Sequence, residues 1–326
     1  MSSVRAFMDH HFLHFNSRET VAAARAWEAH LAAGGKMLVT LAGAMSTARI
    51  GRTLSRLIRA DRVHAISCTG ANLEEDIFQL TAINDYEVIP DWRSLSTEAE
   101  KALLDRGMNR VTDTCIPETV MRHIEHRLTQ RWAKACAEGK RYSPAEFLFQ
   151  VLDDLDPKVH YQAPATDSWM LAAKEKGIPV ITPGWEDSTT GNMFAGQVWK
   201  GNVAHHNCVI TGTEQMERLA KWYLANCNQD NDSPSVGFFQ IGGGIAGDFP
   251  ICTVPMLIQD LRMDDLKMWG YFCQISDAVT SYGGYSGAVP NEKITWCKLD
   301  VDTPKFMIQS DASIVAPLIF AYLLGD

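Results

Sequence analysis

Lys298 stands two residues after Trp296 and two before Asp300, with Glu292 a short way upstream. A lysine withdrawn from water in such company releases its proton more readily and becomes a nucleophile. A lysine at the edge of a strand is the plainer alternative and, on physical chemistry alone, the favoured one. A second arrangement is the run Gly242, Gly243 and Gly244, which with Gly247 has the spacing G-x-G-x-x-G directly after an apolar stretch. Glycines there let backbone N–H groups approach a pyrophosphate, although a tight strand-to-helix connection uses the same residues, and the run lies far from the N-terminus. A third is Glu74-Glu75-Asp76, shortly after Thr69-Gly70-Ala71-Asn72. Carboxylates so placed can hold ribose hydroxyls or ammonium groups. As an isolated triplet, they are better explained as acids complementing the dipole of a helix's first turn.

Other chemistries are poorly supported. His123 and His126 stand three apart on a helical pattern, and His10, His11, His14, His205 and His206 cluster locally, but no HExxH-like set supplies a third ligand, so no metal site is expected. There is no G-x-S-x-G elbow and no cysteine in an activating setting.

The elements that must position these residues follow from hydrophobic periodicity. Short apolar runs bounded by Gly, Pro, Ser, Thr or Asp predict strands at Met37 to Ala42, Val63 to Ser67, Pro179 to Thr182, Val236 to Ile241, Tyr271 to Ser276 and Phe306 to Gln309. Helical patterns lie between and around them: a helix capped by Ser17 and stopped by Gly34 and Gly35, then Ala48 to Arg59, Glu118 to Ala137, Ala145 to Leu155, Thr213 to Ala225 and Ser313 to Leu324. Thr211 and Glu214 have capping-box spacing. This alternation predicts an α/β fold, a Rossmann-like, doubly wound and mostly parallel sheet with helices on both faces. No linker or repeat divides the chain, so residues 1–16 are expected as an arm, free or packed on a neighbour, and 17–326 as one domain.

With 46% hydrophobic and 21% charged residues, the 326-residue chain can bury a large core. No window reads as a membrane span or a signal peptide, and the eight cysteines show no paired spacing, which together predict a soluble, cytoplasmic protein with reduced thiols. A net charge of -9 without a basic stripe makes a nucleic-acid partner improbable.

Several ordered blocks resemble the deoxyhypusine synthases and their relatives, the homospermidine synthases and bacterial deoxyhypusine synthase-like proteins. They are T-G-A-N-L-E-E-D from Thr69, E-D-S-T-T-G-N-M from Glu186, I-G-G-G from Ile241, P-N-E-K-I-T-W-C-K from Pro290 and S-D-A-S from Ser310. The resemblance, which runs from about Lys36 to the C-terminus, implies an NAD-dependent aminoalkyl transferase in which Lys298 forms an imine with the transferred group. Low dielectric beside Trp296 is expected to favour the neutral amine that this chemistry needs. NAD contacts would fall on Gly43, Ala44, Met45, Ser46 and Thr47; on Thr69, Gly70, Ala71 and Glu75; on Asp187; on Gly243 and Gly244; on Asp277 and Ala278; and on Asp311 and Ala312. Ala44 stands where the family usually carries asparagine. Glu74, Glu75, Glu292 and Trp296 would contact the amine.

The chain departs from the family pattern at other amine-grasping positions, where it carries Asn192, Asp248, Tyr282 and Tyr285. Lost carboxylates weaken recognition of a triamine, whereas tyrosine faces can hold a cation with about 0.5 to 2 kcal/mol each. The resemblance therefore implies a small di- or polyamine substrate, as in homospermidine synthesis, and a homotetramer with sites at subunit boundaries. The alternatives are modification of a lysine on a translation-factor precursor and a non-catalytic NAD-binding role.

Overall fold

The computed structural model describes residues 3–280 and 282–326. Among the described residues nine strands are present: β1 (Met37–Leu41), β2 (Ala65–Cys68), β3 (Glu87–Val88), β4 (Met108–Val111), β5 (Thr114–Pro117), β6 (Val180–Ile181), β7 (Gly237–Ile241), β8 (Tyr271–Ile275) and β9 (Lys305–Ile308). Six form one sheet in the order β6-β2-β1-β7-β8-β9, with every neighbouring pair parallel. Each was expected from an apolar run, and the α/β architecture is as the sequence implies.

Successive side chains of a strand face opposite ways, so a sheet buried on both faces needs two cores. Val39, Leu41, Phe239, Ile241, Cys273 and Ile275 contribute to one, with the helices Phe15–Ala32, Gly51–Arg59, Gly70–Ala82, Trp169–Lys176 and Ala312–Leu324. Leu38, Phe238 and Phe272 contribute to the other, with the helices Gly212–Asn226 and Gly244–Ile251. Trp27 is fully buried in the first core, its ring 4.7 Å from that of Phe239; burial of a side chain this large is worth roughly 2 to 3 kcal/mol.

The helix expected to start at Ser17 instead begins at Phe15, with His14 extended as its N-cap and Ser17 Oγ donating back to His14 O at 2.7 Å. The first two residues of the expected arm lie outside the described residues. Its remainder is no free arm: Val4–His11 is a helix capped by Ser3, with Met8 buried, Arg5 forked onto Glu28 at 2.7 and 2.9 Å, and the Arg5 N–H donating to Asp326 O. The expected capping box holds, with Thr211 N donating to Glu214 Oε2 at 2.7 Å and Glu214 N to Thr211 Oγ1 at 3.3 Å.

A second, antiparallel sheet, β3-β5-β4, was not foreseen. Its strands are short and carry Asn109, Arg110 and Thr114 among their apolar residues, which obscures any alternation. All eight cysteines are unpaired. Among the described residues, no helix is long and apolar enough to cross a membrane.

Candidate active site

From β1 the chain winds outward through β2 to β6, then crosses to the other side of β1 to lay down β7, β8 and β9. The winding reverses between β1 and β7, and α/β sheets bind ligands in the crevice beyond the carboxyl ends of the strands at such a reversal. The positions expected to hold the cofactor all belong to the segments that leave those ends. Gly43 to Thr47 follow β1, Thr69 to Ala71 follow β2, Asp187 follows β6, Gly243 and Gly244 follow β7, Asp277 and Ala278 follow β8, and Asp311 and Ala312 follow β9. Asp187, Asp277 and Asp311 are exposed there. Asp311 also caps the last helix by accepting from Ser313 N at 2.7 Å.

Asn72, a residue the sequence reading passed over, organises this edge. Fully buried, it donates through Nδ2 to Leu41 O, Gly43 O and Thr69 Oγ1 at 3.1, 2.9 and 2.8 Å, and accepts from Ser46 N at 2.8 Å. Thr69 adds a bond from its hydroxyl to Gly43 O at 2.6 Å, and Gln79 donates to Ser46 O and Thr47 O. The loop after β1 is thus fixed by side chains of the helix after β2, Gly70–Ala82, and of its N-cap Thr69. On the far side of the reversal, Gly244 has φ +59°, a left-handed conformation that glycine adopts without penalty. A Cβ on Gly243 would lie 1.9 Å from Ser286 Oγ, so the backbone approaches that residue closely.

The acidic triplet divides into three roles, none of them first-turn complementation. Thr69 is the N-cap of the helix Gly70–Ala82, which puts the acids in its second turn. Glu74 accepts from Thr189 N and Thr190 N at 3.0 and 2.7 Å, capping the helix Thr189–Trp199. Asp76 accepts from Ser168 Oγ, Trp169 N and Met170 N, capping the helix Trp169–Lys176. Of the three, Glu75 keeps a buried oxygen, Oε2, with no partner among the described residues, and the neighbouring Thr47 hydroxyl also lacks one there. Burial, then the charge of Glu74, pushes the Glu75 carboxyl up to about 8.

Lys298 lies on a cavity of about 680 Å³ whose other walls include Asp248, Cys252, Tyr285, Glu292, Lys293 and Trp296. It is 7% exposed, and its Nζ donates to Asp248 Oδ1 at 3.1 Å, a residue fifty positions away in sequence. Asp300 does not line this cavity. Trp296 is not the desolvating wall expected of it: its ring is 63% exposed, with its centroid 5.9 Å from Lys298 Nζ. The closer aromatic face is Tyr285, 5.3 Å from Lys298 Nζ and 4.8 Å from Lys293 Nζ, so this ring already holds the protein's own ammonium groups. Four other expected amine contacts lie outside the cavity: Glu74 and Glu75, Tyr282, which is exposed, and Asn192, which donates to Ser188 O. Glu292, at the exposed rim, accepts from Val289 N at 3.1 Å.

The cavity and the glycine run share a wall. Tyr285 Oη donates to Gln240 Oε1 at 2.7 Å, Gln240 Nε2 donates to Gly242 O at 2.9 Å, and Gly244 N donates to Ser286 Oγ at 3.1 Å. Gln240 belongs to a buried polar row in register across four strands, Ser67, Thr40, Gln240 and Gln274. The row had a signal in the sequence, a polar residue within the last three positions of each of these four apolar runs.

The deoxyhypusine synthase family profile matches residues 7–323. A deoxyhypusine synthase-like protein of Chlorobaculum parvum is 25% identical over 287 residues, covering 88% of this chain and 75% of its own length. An Archaeoglobus fulgidus protein named "Probable deoxyhypusine synthase 1" is 25% identical over 312 residues, with coverage of 95% and 90%. In three dimensions the chain is similar to the crystal structure of a candidate deoxyhypusine synthase from Entamoeba histolytica, with a TM-score of 0.57, 13% identity and coverage of 95% and 88%. That likeness bears on the fold. With the profile spanning nearly the whole sequence, the chain belongs to the deoxyhypusine synthase family, a family of transferases.

Proposed function

We propose that the protein is an NAD-dependent aminoalkyl transferase of polyamine metabolism that works through an imine on Lys298 and uses a small amine as substrate. The observation that carries this reading is the wall shared by the Lys298 cavity and the glycine run, which sets an amine nucleophile beside a cofactor-type loop. The residues at the reversal fit NAD: among the described residues Glu75 Oε2 and the Thr47 hydroxyl are buried without partners, as groups meant for ribose hydroxyls would be, and Gly243 and Gly244 put no side chain of their own between a ligand and the backbone.

Bound NAD would accept a hydride from the carbon bearing the donor's nitrogen and return it after transfer. Asp248 Oδ1 takes the proton from Lys298 Nζ, whose lone pair then adds to the oxidised carbon. The donor's amine departs and leaves the aminoalkyl group as an imine on Lys298. An acceptor amine displaces the lysine, which recovers its proton from Asp248. Tyr285 borders the Lys298 amine and limits the access of water, which would hydrolyse the imine.

The test is to incubate the protein with NAD and a panel of putrescine, spermidine and agmatine, trap with borohydride, and map added mass by peptide mass spectrometry. An adduct on Lys298 that is lost in Lys298→Ala is expected; the absence of any adduct refutes the transfer reading. Names of relatives such as the Archaeoglobus protein favour a protein lysine as the alternative acceptor, and offering a translation-factor precursor or a free diamine to the enzyme loaded with NAD and donor, before any borohydride is added, distinguishes the two. We place the active form as a homotetramer. Ile245, Val279, Tyr282 and Val289, which belong to the segments forming this edge, expose apolar surface of the kind a neighbouring subunit covers. A monomer by light scattering would refute that assembly.

A further inference from the structure

Lys293 is a second lysine on the cavity wall, and nothing in the mechanism above uses it. It is 2% exposed, less than Lys298. Its Nζ reaches one hydrogen-bond acceptor among the described residues, Ala288 O at 3.4 Å, and sits 4.8 Å from the ring centres of Phe272 and Tyr285. No carboxylate of the described residues lies within 4.0 Å of it, whereas Lys298 has Asp248 at 3.1 Å. A buried ammonium without a counter-ion is costly and is kept where something else supplies the charge. Burial, then the charge of Lys298, pushes the Lys293 amine down to about 8.

The other charged groups on the cavity wall leave Lys293 without a counter-ion. Asp248 is engaged by Lys298, and Glu292 is at the exposed rim with its carboxylate bonded to Val289 N. The Tyr285 ring, the closer of the cavity's two aromatic faces to Lys298, is occupied by the two lysines. A substrate with an ammonium at each end would drive one of them against Lys293, and like charges in a desolvated space repel strongly. We propose that the amine this enzyme binds carries a carboxylate at its other end, and that Lys293 is the residue that pairs with it. The proposal rests on the reading of transfer through an imine on Lys298 and replaces its di- or polyamine by an amino acid, so that the group left on Lys298 once the donor's amine departs is a carboxyalkyl rather than an aminoalkyl group.

Two ligands of equal chain length, 4-aminobutanoate and 1,4-diaminobutane, differ only in the group that would meet Lys293. Calorimetric titration of the protein in excess NAD is expected to show 4-aminobutanoate binding at least about tenfold more tightly, a difference of about 1.4 kcal/mol. Lys293→Met, which keeps the chain length and removes the charge, is expected to abolish that preference. Tighter binding of the diamine by the unsubstituted protein, with an adduct on Lys298, overturns the inference and leaves the transfer reading standing. An unchanged preference in Lys293→Met overturns the role of Lys293. Weakened NAD binding with the preference intact overturns it too, by assigning Lys293 to the cofactor's phosphates. If neither ligand binds, the inference and the amine-site reading fall together. The comparison in the unsubstituted protein decides the substrate class whether or not the variant folds.

Discussion

Glu75 is held in an ionisation state that opposes folding. Its side chain is 7% exposed, one oxygen has no partner, and burial followed by the Glu74 charge raises its carboxyl from an ordinary 4.5 to about 8. Because the folded value lies above the unfolded one, stability is fully present below about pH 4.5 and is lost as pH rises towards 8. Each pH unit in that window costs up to about 1.4 kcal/mol, so near pH 7.5, three units above the ordinary value, the native state bears on the order of 4 kcal/mol. Glu75→Gln removes the titration and keeps the shape. Urea unfolding at one fixed protein concentration should find the variant about 3 to 4 kcal/mol more stable than the parent near pH 7.5 and within about 1 kcal/mol of it near pH 5. The same substitution should weaken NAD binding, as expected of a site residue maintained at the expense of stability. A variant that is less stable at both pH values would refute the reasoning, since it would mean that Glu75 is satisfied in the fold.

Other predictions separate structural from chemical roles. Glu74→Gln puts an amide N–H against the backbone N–H groups it should cap and is expected to lower stability by about 2 kcal/mol without changing the KM for amine, read by urea unfolding and steady-state kinetics. Gly243→Ala must displace Ser286, whose Cα would lie 2.8 Å from the new Cβ, and should cost about 3 kcal/mol. Gly244→Ala meets open space and should cost only about 1 kcal/mol for its positive φ; the melting temperatures of the two variants should rank accordingly. Trp296→Ala removes a mostly exposed ring, so stability should change by less than about 0.5 kcal/mol while amine affinity, measured calorimetrically, falls.

The six parallel strands were legible because each is a short apolar run between turn residues, a pattern that burial on both faces imposes. The second sheet was not, since strands such as β3, with Glu87 and Val88 both exposed, need no apolar pattern. Lys298 was found through its local block, but its acidic partner could not be inferred from neighbours in sequence, because Asp248 comes from the helix after β7 and Asp300 does not line the cavity. The acidic triplet looked like one feature because its members are adjacent. On a helix, adjacent residues point about 100° apart, so Glu74 and Asp76 reach different partners and Glu75 is left for other work. Lys293 attracted no notice as a charged residue in a polar stretch; only the packing of Phe272 and Tyr285 around it shows that it is buried.

Asn72 gives the loop after β1 a property that shows in exchange kinetics rather than in affinity alone. Ordering a residue's backbone costs roughly 1 to 2 kcal/mol, and for Gly43 and Ser46 that cost is met during folding by a side chain already in place. A cofactor arriving at this edge finds the loop set and need not freeze it. The Ser46 amide should therefore exchange slowly with deuterium before any cofactor is added and change little afterwards, whereas a loop closed by its ligand would acquire protection only in the complex.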